Sequence, residues 1–232
     1  MLGSPFTTDH PLIQRFQAFI ADDAFPCFGA KSASARYQIQ FVLARSLDGA
    51  WNDFQIHDAL MDFVAAYRRE NKLFQSLVVV FEGPDRFDEA VFESHMWKRI
   101  QSLAEKDAWL GQPYDTRVSP DPDSPHFSLS FCGEAFFVVG LHPKASRPAR
   151  RFEVPVMVFN LHDQFERLRA EGRYEKLRDA ILDRDLVIAG SINPMLTRYG
   201  ELSEARQYSG RTVNEDWECP FADPRGNCRD AP

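Results

Sequence analysis

The stretch FSLSFCGEAFFVVGL, running from Phe127 to Leu141, decides the fold class. Phe127, Leu129 and Phe131 alternate with Ser128 and Ser130, which gives a strand with one apolar face. Cys132-Gly133-Glu134-Ala135 reads as the turn. FFVVGL (Phe136–Leu141) is an unbroken apolar run, the pattern of a return strand buried on both faces. His142-Pro143 ends it, and the basic connector KASRPARRF (Lys144–Phe152) leads to a further strand, VPVMVFNL, from Val154 to Leu161. Pro155 marks that strand as an edge or as a strand start.

Outward from the hairpin, helices and strands alternate. Pro11 opens a helix whose stripe is Leu12, Ile13, Phe16, Phe19 and Ile20. FPCFGAKSA (Phe25–Ala33) reads as a loop rich in small residues, and Tyr37–Ala44 as a strand. Helices are predicted over about Ala50–Arg69 and Asp88–Asp107, with SLVVVFE (Ser76–Glu82) between them as a buried strand. GQPYDTRVSPDPDSP (Gly111–Pro125) has no periodicity and is long enough for a functional loop. His162–Arg184 is helical with a break at Gly172, and the chain beyond Asn193 is irregular. The expected architecture is one α+β domain over residues 1–232: a mainly antiparallel sheet with a central hairpin, about four helices, and an irregular tail from about residue 222.

Composition narrows the function. The 27 basic and 34 acidic residues give a net charge of −7, which argues against nucleic-acid binding. No run of 18 apolar residues exists, so no membrane span is expected. MLGSPFTTDH lacks a cationic segment followed by an apolar core, and Cys27, Cys132, Cys219 and Cys228 form no CxxC pair. A reduced, cytoplasmic protein is expected, and the composition leaves room for a homo-oligomer. The 20 phenylalanines fit either a large core or the walls of a pocket for a flat ligand.

Six histidines are the first candidates for chemistry. His10, His57 and His95 read as capping, surface or half-buried residues. His126, His142 and His162 stand at strand ends, where scaffolds place site residues. Zinc-binding, GxSxG, GxGxxG and P-loop spacings are all missing. Lys144, Arg147, Arg150 and Arg151 directly follow His142. A histidine beside arginines in a Phe-rich chain suits a b-type haem: imidazole for the iron, guanidinium groups for the propionates, aromatic rings for the faces. A solvated basic turn is the plainer reading. Glu201 and Glu204, among Arg198, Arg206 and Arg211, suit surface ion pairs or recognition of a cationic substrate. Cys219, in WECPF, is either a buried inert thiol or a haem thiolate.

Several of these segments together resemble the YqcI/YcgG family: FPCFGAKSA, VVVFEGP at Val78, the stretch from Pro125 to Phe152, VFNLHDQFERLR at Val158, NPML at Asn193, EARQYSGR and WECPF. The resemblance runs from about residue 20 to 222. Some members of that family are haem-dependent N-hydroxylases of guanidino groups, including the enzyme of guanitoxin biosynthesis and a relative that hydroxylates arginine in cycloserine biosynthesis. The resemblance implies haem b, dioxygen as co-substrate, an external reductase and a small cationic substrate held by a carboxylate such as Glu201 or Glu204. His142 is the first choice of iron ligand and His162 the second, with Cys219 as the thiolate rival. Arg147, Arg150, Arg151, His126 and Phe137 are expected around the cofactor, and the pocket is expected among Phe127, Phe131, Phe136, Phe137 and Phe152. The alternative function is a haem-binding carrier or sensor without catalysis.

Overall fold

A computed structural model describes residues 9–226; Cys228 and both chain ends lie outside the described residues. The sheet has five strands: β1 (Ile39–Ala44), β2 (Ser76–Phe81), β3 (Leu129–Phe131), β4 (Glu134–Leu141) and β5 (Val156–Leu161). Their order is β1-β2-β5-β4-β3. β1 and β2 run parallel, as the crossover helix between them requires, and every other pair is antiparallel. The architecture is therefore α+β with a mostly antiparallel sheet.

The hairpin sits at one edge of the sheet rather than at its centre. β3 keeps only three ladder positions, Leu129 to Phe131, before the chain turns away. Beyond them, the loop before it makes a short parallel bridge at Ser119 and Phe127. β5 is the central strand, so Pro155 marks a strand start and not an edge. Preceding the ladder, it loses no donor there, and its carbonyl accepts from the Phe81 N–H at 3.0 Å. The hairpin turn is also shorter than the sequence pattern indicates. Only Cys132 and Gly133 form it, at φ +56° and +75°, and Glu134 and Ala135 already belong to β4.

Seven α-helices surround the sheet among the described residues: α1 (Pro11–Ala21), α2 (Phe28–Ala35), α3 (Asp53–Arg69), α4 (Glu89–Trp109), α5 (His162–Ala170), α6 (Tyr174–Ala189) and α7 (Ala205–Tyr208). The count exceeds four partly because the break at Gly172 separates α5 from α6. It also exceeds four because FGAKSASA is helical. Cys27 caps α2, its Sγ accepting from the Ala30 N–H at 3.4 Å. No helix in the described residues is long and apolar enough to cross a membrane.

The phenylalanines are sorted by the two faces of the sheet. On one face, Phe131, Phe136 and Phe159 pack with Phe63 of α3 and Phe92 of α4. On the other, Phe41 and Phe152 pack with Phe16 and Ile20 of α1. Phe16 and Phe152 meet edge-on at 5.0 Å. Strand residues alternate between these two cores, which is why β2 is buried at all six positions. Each fully buried phenylalanine contributes on the order of 2–3 kcal/mol of burial. The Phe excess is thus a consequence of covering the sheet on both sides.

Candidate functional site

The register of β4 on β5 sets the site geometry. Phe136 pairs with Leu161 and Leu141 with Val156. His162, just past β5, therefore stands at the turn end of the hairpin, and His142, just past β4, at the opposite end. The strands separate them by roughly 20 Å, so one iron cannot take both.

At the His142 end the ring itself is packed. His142 is 1% exposed and stacks on Phe92 at 4.4 Å and 20°. Burial lowers its pKa to about 4, so the ring is neutral, and its Nδ1 has no hydrogen-bond partner. The arginines beside it are engaged by the protein itself. Arg147 pairs with Asp185 and reaches Ser191 at 3.0 Å. Arg150 donates to the carbonyls of Gly140, Tyr208 and Gln207 at 3.0, 3.1 and 3.2 Å. Arg151 donates to those of Ala145 and Ser146. The basic connector is a set of internal clamps that fasten the chain after β4.

A cavity of about 340 Å³ opens at the other end. It is lined by Asp115, Arg117 and Val118 of the Pro-rich loop, Ala135 of β4, His162, Asp163, Glu166 and Arg169 of α5, and Tyr199. The loop is held in place by the Tyr114 hydroxyl, which donates to the Ser128 carbonyl at 2.7 Å, and by Asp115, which accepts from the Ala135 N–H at 2.8 Å. His162 starts α5, and Glu166, one turn on, lies 3.1 Å from its Nε2. Burial holds the imidazole below the usual histidine range although Glu166 pulls the other way. Nδ1 has no hydrogen-bond partner and lies 4.0 Å from Glu204 Oε1.

Glu204 is 5% exposed. Its Oε2 accepts from the Ser128 and Tyr208 hydroxyls at 3.1 and 3.3 Å. Burial outweighs those donors and pushes the carboxyl up to about 8, leaving it protonated near neutrality. Tyr199 stands edge-on to His162 at 4.6 Å and to His126 at 5.5 Å. Two guanidinium groups reach the cavity. Arg117 bridges Asp115 and Glu134 and is 54% exposed, and Arg169 pairs with Glu166 and is 28% exposed. Unlike Arg147, 10% exposed, both retain surface for a ligand.

The structure therefore brings together His162, Glu204 and, at the rim through Tyr199, His126. It places His142, Arg147, Arg150 and Arg151 at the far end of the sheet. Glu201 is exposed and pairs with Arg198 at 3.8 Å. Phe137 is half-buried, edge-on to Tyr208 at 5.2 Å. Cys219 is partly buried, and burial pushes its thiol up to about 12, far from a free thiolate. No phenylalanine lines this cavity or a second one of about 450 Å³ between α4 and residues 211–220. The expected Phe-walled pocket is filled core: Phe127, Phe131 and Phe136 are each 0% exposed. Asp115, Arg117, Arg169 and Tyr199 are not picked out by the sequence, whereas Asp163 and Glu166 stand beside His162 but lack the second histidine of a metalloprotease helix. Two traces of them were visible: the aperiodic loop and the four-residue spacing of His162 and Glu166.

The family model for the YqcI/YcgG family matches residues 16–222. The chain belongs to the YqcI/YcgG family. That match spans all five strands, the cavity and both histidine ends. No curated protein and no solved structure matches the chain.

Proposed function

We propose that this family member is a cytoplasmic haem-dependent oxygenase that hydroxylates a guanidino or amine nitrogen of a small cationic molecule, with His162 offering the imidazole to iron. One observation carries the placement: a buried, neutral imidazole with an unpartnered nitrogen lies on the wall of a cavity that also holds two partly exposed arginines. Donor chemistry at this cavity fits the cofactor. Neutral imidazole is a haem ligand, Arg117 and Arg169 can pair with propionates, and Tyr199 supplies an aromatic edge. The His142 end has the same residue types, but Arg147 and Arg150 are bound to the protein's own acceptors and Phe92 covers the ring.

Bound haem supplies activation of dioxygen, with electrons from an external reductase. The chain's own residues do the rest. Glu166 fixes the His162 ring from Nε2, the usual way a carboxylate orients a ligating imidazole. Asp163 and Glu166 put negative charge at the cavity wall, which favours a cationic substrate. Glu204, as a neutral carboxyl, holds a proton at its buried oxygen on the Nδ1 side of the imidazole, the side Glu166 leaves open. The second reading is a haem carrier or sensor without catalysis.

The test is reconstitution with haem followed by incubation with arginine-like guanidines and amines, dioxygen and a reductant. A Soret band with an N-hydroxylated product is expected. A Soret band without product from any of them favours the carrier, and no Soret band overturns the haem reading.

A further inference from the structure

A second constellation lies outside the cavity, buried where α3, α4 and the hairpin turn meet. His57 of α3, Asp107 of α4 and Cys132 of the turn are 2%, 0% and 4% exposed. One potential ligand atom from each lies within 4.8 Å of the other two. His57 Nε2 is 2.6 Å from Asp107 Oδ1, and Cys132 Sγ is 3.5 Å from the same oxygen. We propose that this imidazole, carboxylate and thiol form a zinc site of three protein ligands, its fourth position left to a water.

Three features support a metal over a hydrogen-bonded knot alone. Imidazole, carboxylate and thiolate are the three side-chain ligand types of zinc, and one candidate atom from each lies within 4.8 Å of the others; zinc bonds of about 2.0–2.3 Å would open the His57–Asp107 contact to roughly 3.3 Å. The elements delivering them are far apart in sequence, so an ion would tie two helices to the hairpin. Cys132 also occupies φ +56° ahead of Gly133, a turn position where Asn or Gly is favoured. A thiol there makes only a weak 3.5 Å contact with Asp107, whereas a thiolate there would have a metal partner.

Arg225 is the competing cation. Its guanidinium lies 2.5 Å from Asp107 Oδ2 and also donates to the carbonyls of Gln112 and Ser130. It therefore holds the far oxygen of the carboxylate, and Oδ1 is the oxygen turned toward both His57 and Cys132. Zinc binding replaces the hydrogen bond from His57 Nε2 to Asp107 Oδ1, shifts the imidazole proton from Nε2 to Nδ1, and releases the Cys132 thiol proton to solvent. Arg225 and the Cys132 N–H, 3.0 Å from Oδ2, then orient the ligating carboxylate from outside.

The full chain, stripped with chelator and free of haem, is titrated with Co²⁺ and separately loaded with Zn²⁺. One cobalt per chain is expected, with a near-ultraviolet thiolate charge-transfer band that survives Cys27→Ser and disappears in Cys132→Ser. If Cys132→Ser does not fold, zinc-edge X-ray absorption on the wild-type chain decides, with one sulfur among nitrogen and oxygen ligands expected. Less than stoichiometric metal, a band that survives Cys132→Ser, or a zinc shell without sulfur overturns the site and leaves the cluster as a hydrogen-bonded anchor for Arg225.

Discussion

His142 and His162 are alike by every local measure and differ in their surroundings. Each follows a buried strand, each is nearly inaccessible, each is held neutral by burial, and each has an Nδ1 without a partner. Arginines stand beside both. At His142 those arginines close on the protein's own carbonyls and on Asp185, and Phe92 lies flat on the ring. At His162 the arginines are partly exposed and the ring borders a cavity. Residue type and position at a strand end do not define a site. What separates the two ends is that one ring borders a cavity and the other lies under Phe92.

The largest effect that separates the two ends is electrostatic. Glu204 has its folded pKa raised to about 8 from an ordinary 4.5. Between those values the folded chain keeps a proton that the unfolded chain releases, so this stabilisation is complete below about 4.5 and is lost as pH rises to 8. Over that window Glu204 should cost the haem-free protein on the order of a few kcal/mol. Denaturant melts of Glu204→Gln across the window should show a flatter profile and a variant more stable than the parent above pH 8. A parallel profile would mean that Glu204 is not held neutral.

The packed end gives the next effect. A β-carbon on Gly140 would lie 2.7 Å from Phe92 and 2.9 Å from the Met96 sulfur. Gly140→Ala should therefore cost about 1–3 kcal/mol by overpacking, read as a lower melting temperature. A neutral result would show that Phe92 can yield, and with it the cover over His142. The smallest effect belongs to Glu201, exposed, paired at 3.8 Å with the Arg198 guanidinium and accepting from the Arg198 backbone N–H at 3.0 Å. Glu201→Ala should shift stability by less than about 0.5 kcal/mol; a larger loss would give that carboxylate a role the structure does not show.

The fold was largely legible because apolar periodicity and proline positions report burial directly. The α1 stripe and the β2 run follow that rule. FGAKSASA hid its helix because a thiol caps it and Gly29 and Ser32 dilute the helical signal. The sheet order was not legible: β5 pairs with β2 across some 80 residues of intervening chain, a relation no local pattern carries. In the site, His162 and Glu204 could be picked out as titratable residues in marked segments. Arg117 and Arg169 could not, since an arginine that borders a cavity and one that clamps the chain look the same in sequence. The cluster at Lys144–Phe152 drew notice through density, and density is what its clamping role requires.

The measurement that bears most directly on this contrast is a haem titration of His162→Ala and His142→Ala beside the parent chain. His162→Ala is expected to lose the Soret band, or to regain it only with added imidazole, while His142→Ala keeps the parental spectrum and stoichiometry. A spectrum lost in His142→Ala and intact in His162→Ala, with both variants folded, would contradict the account.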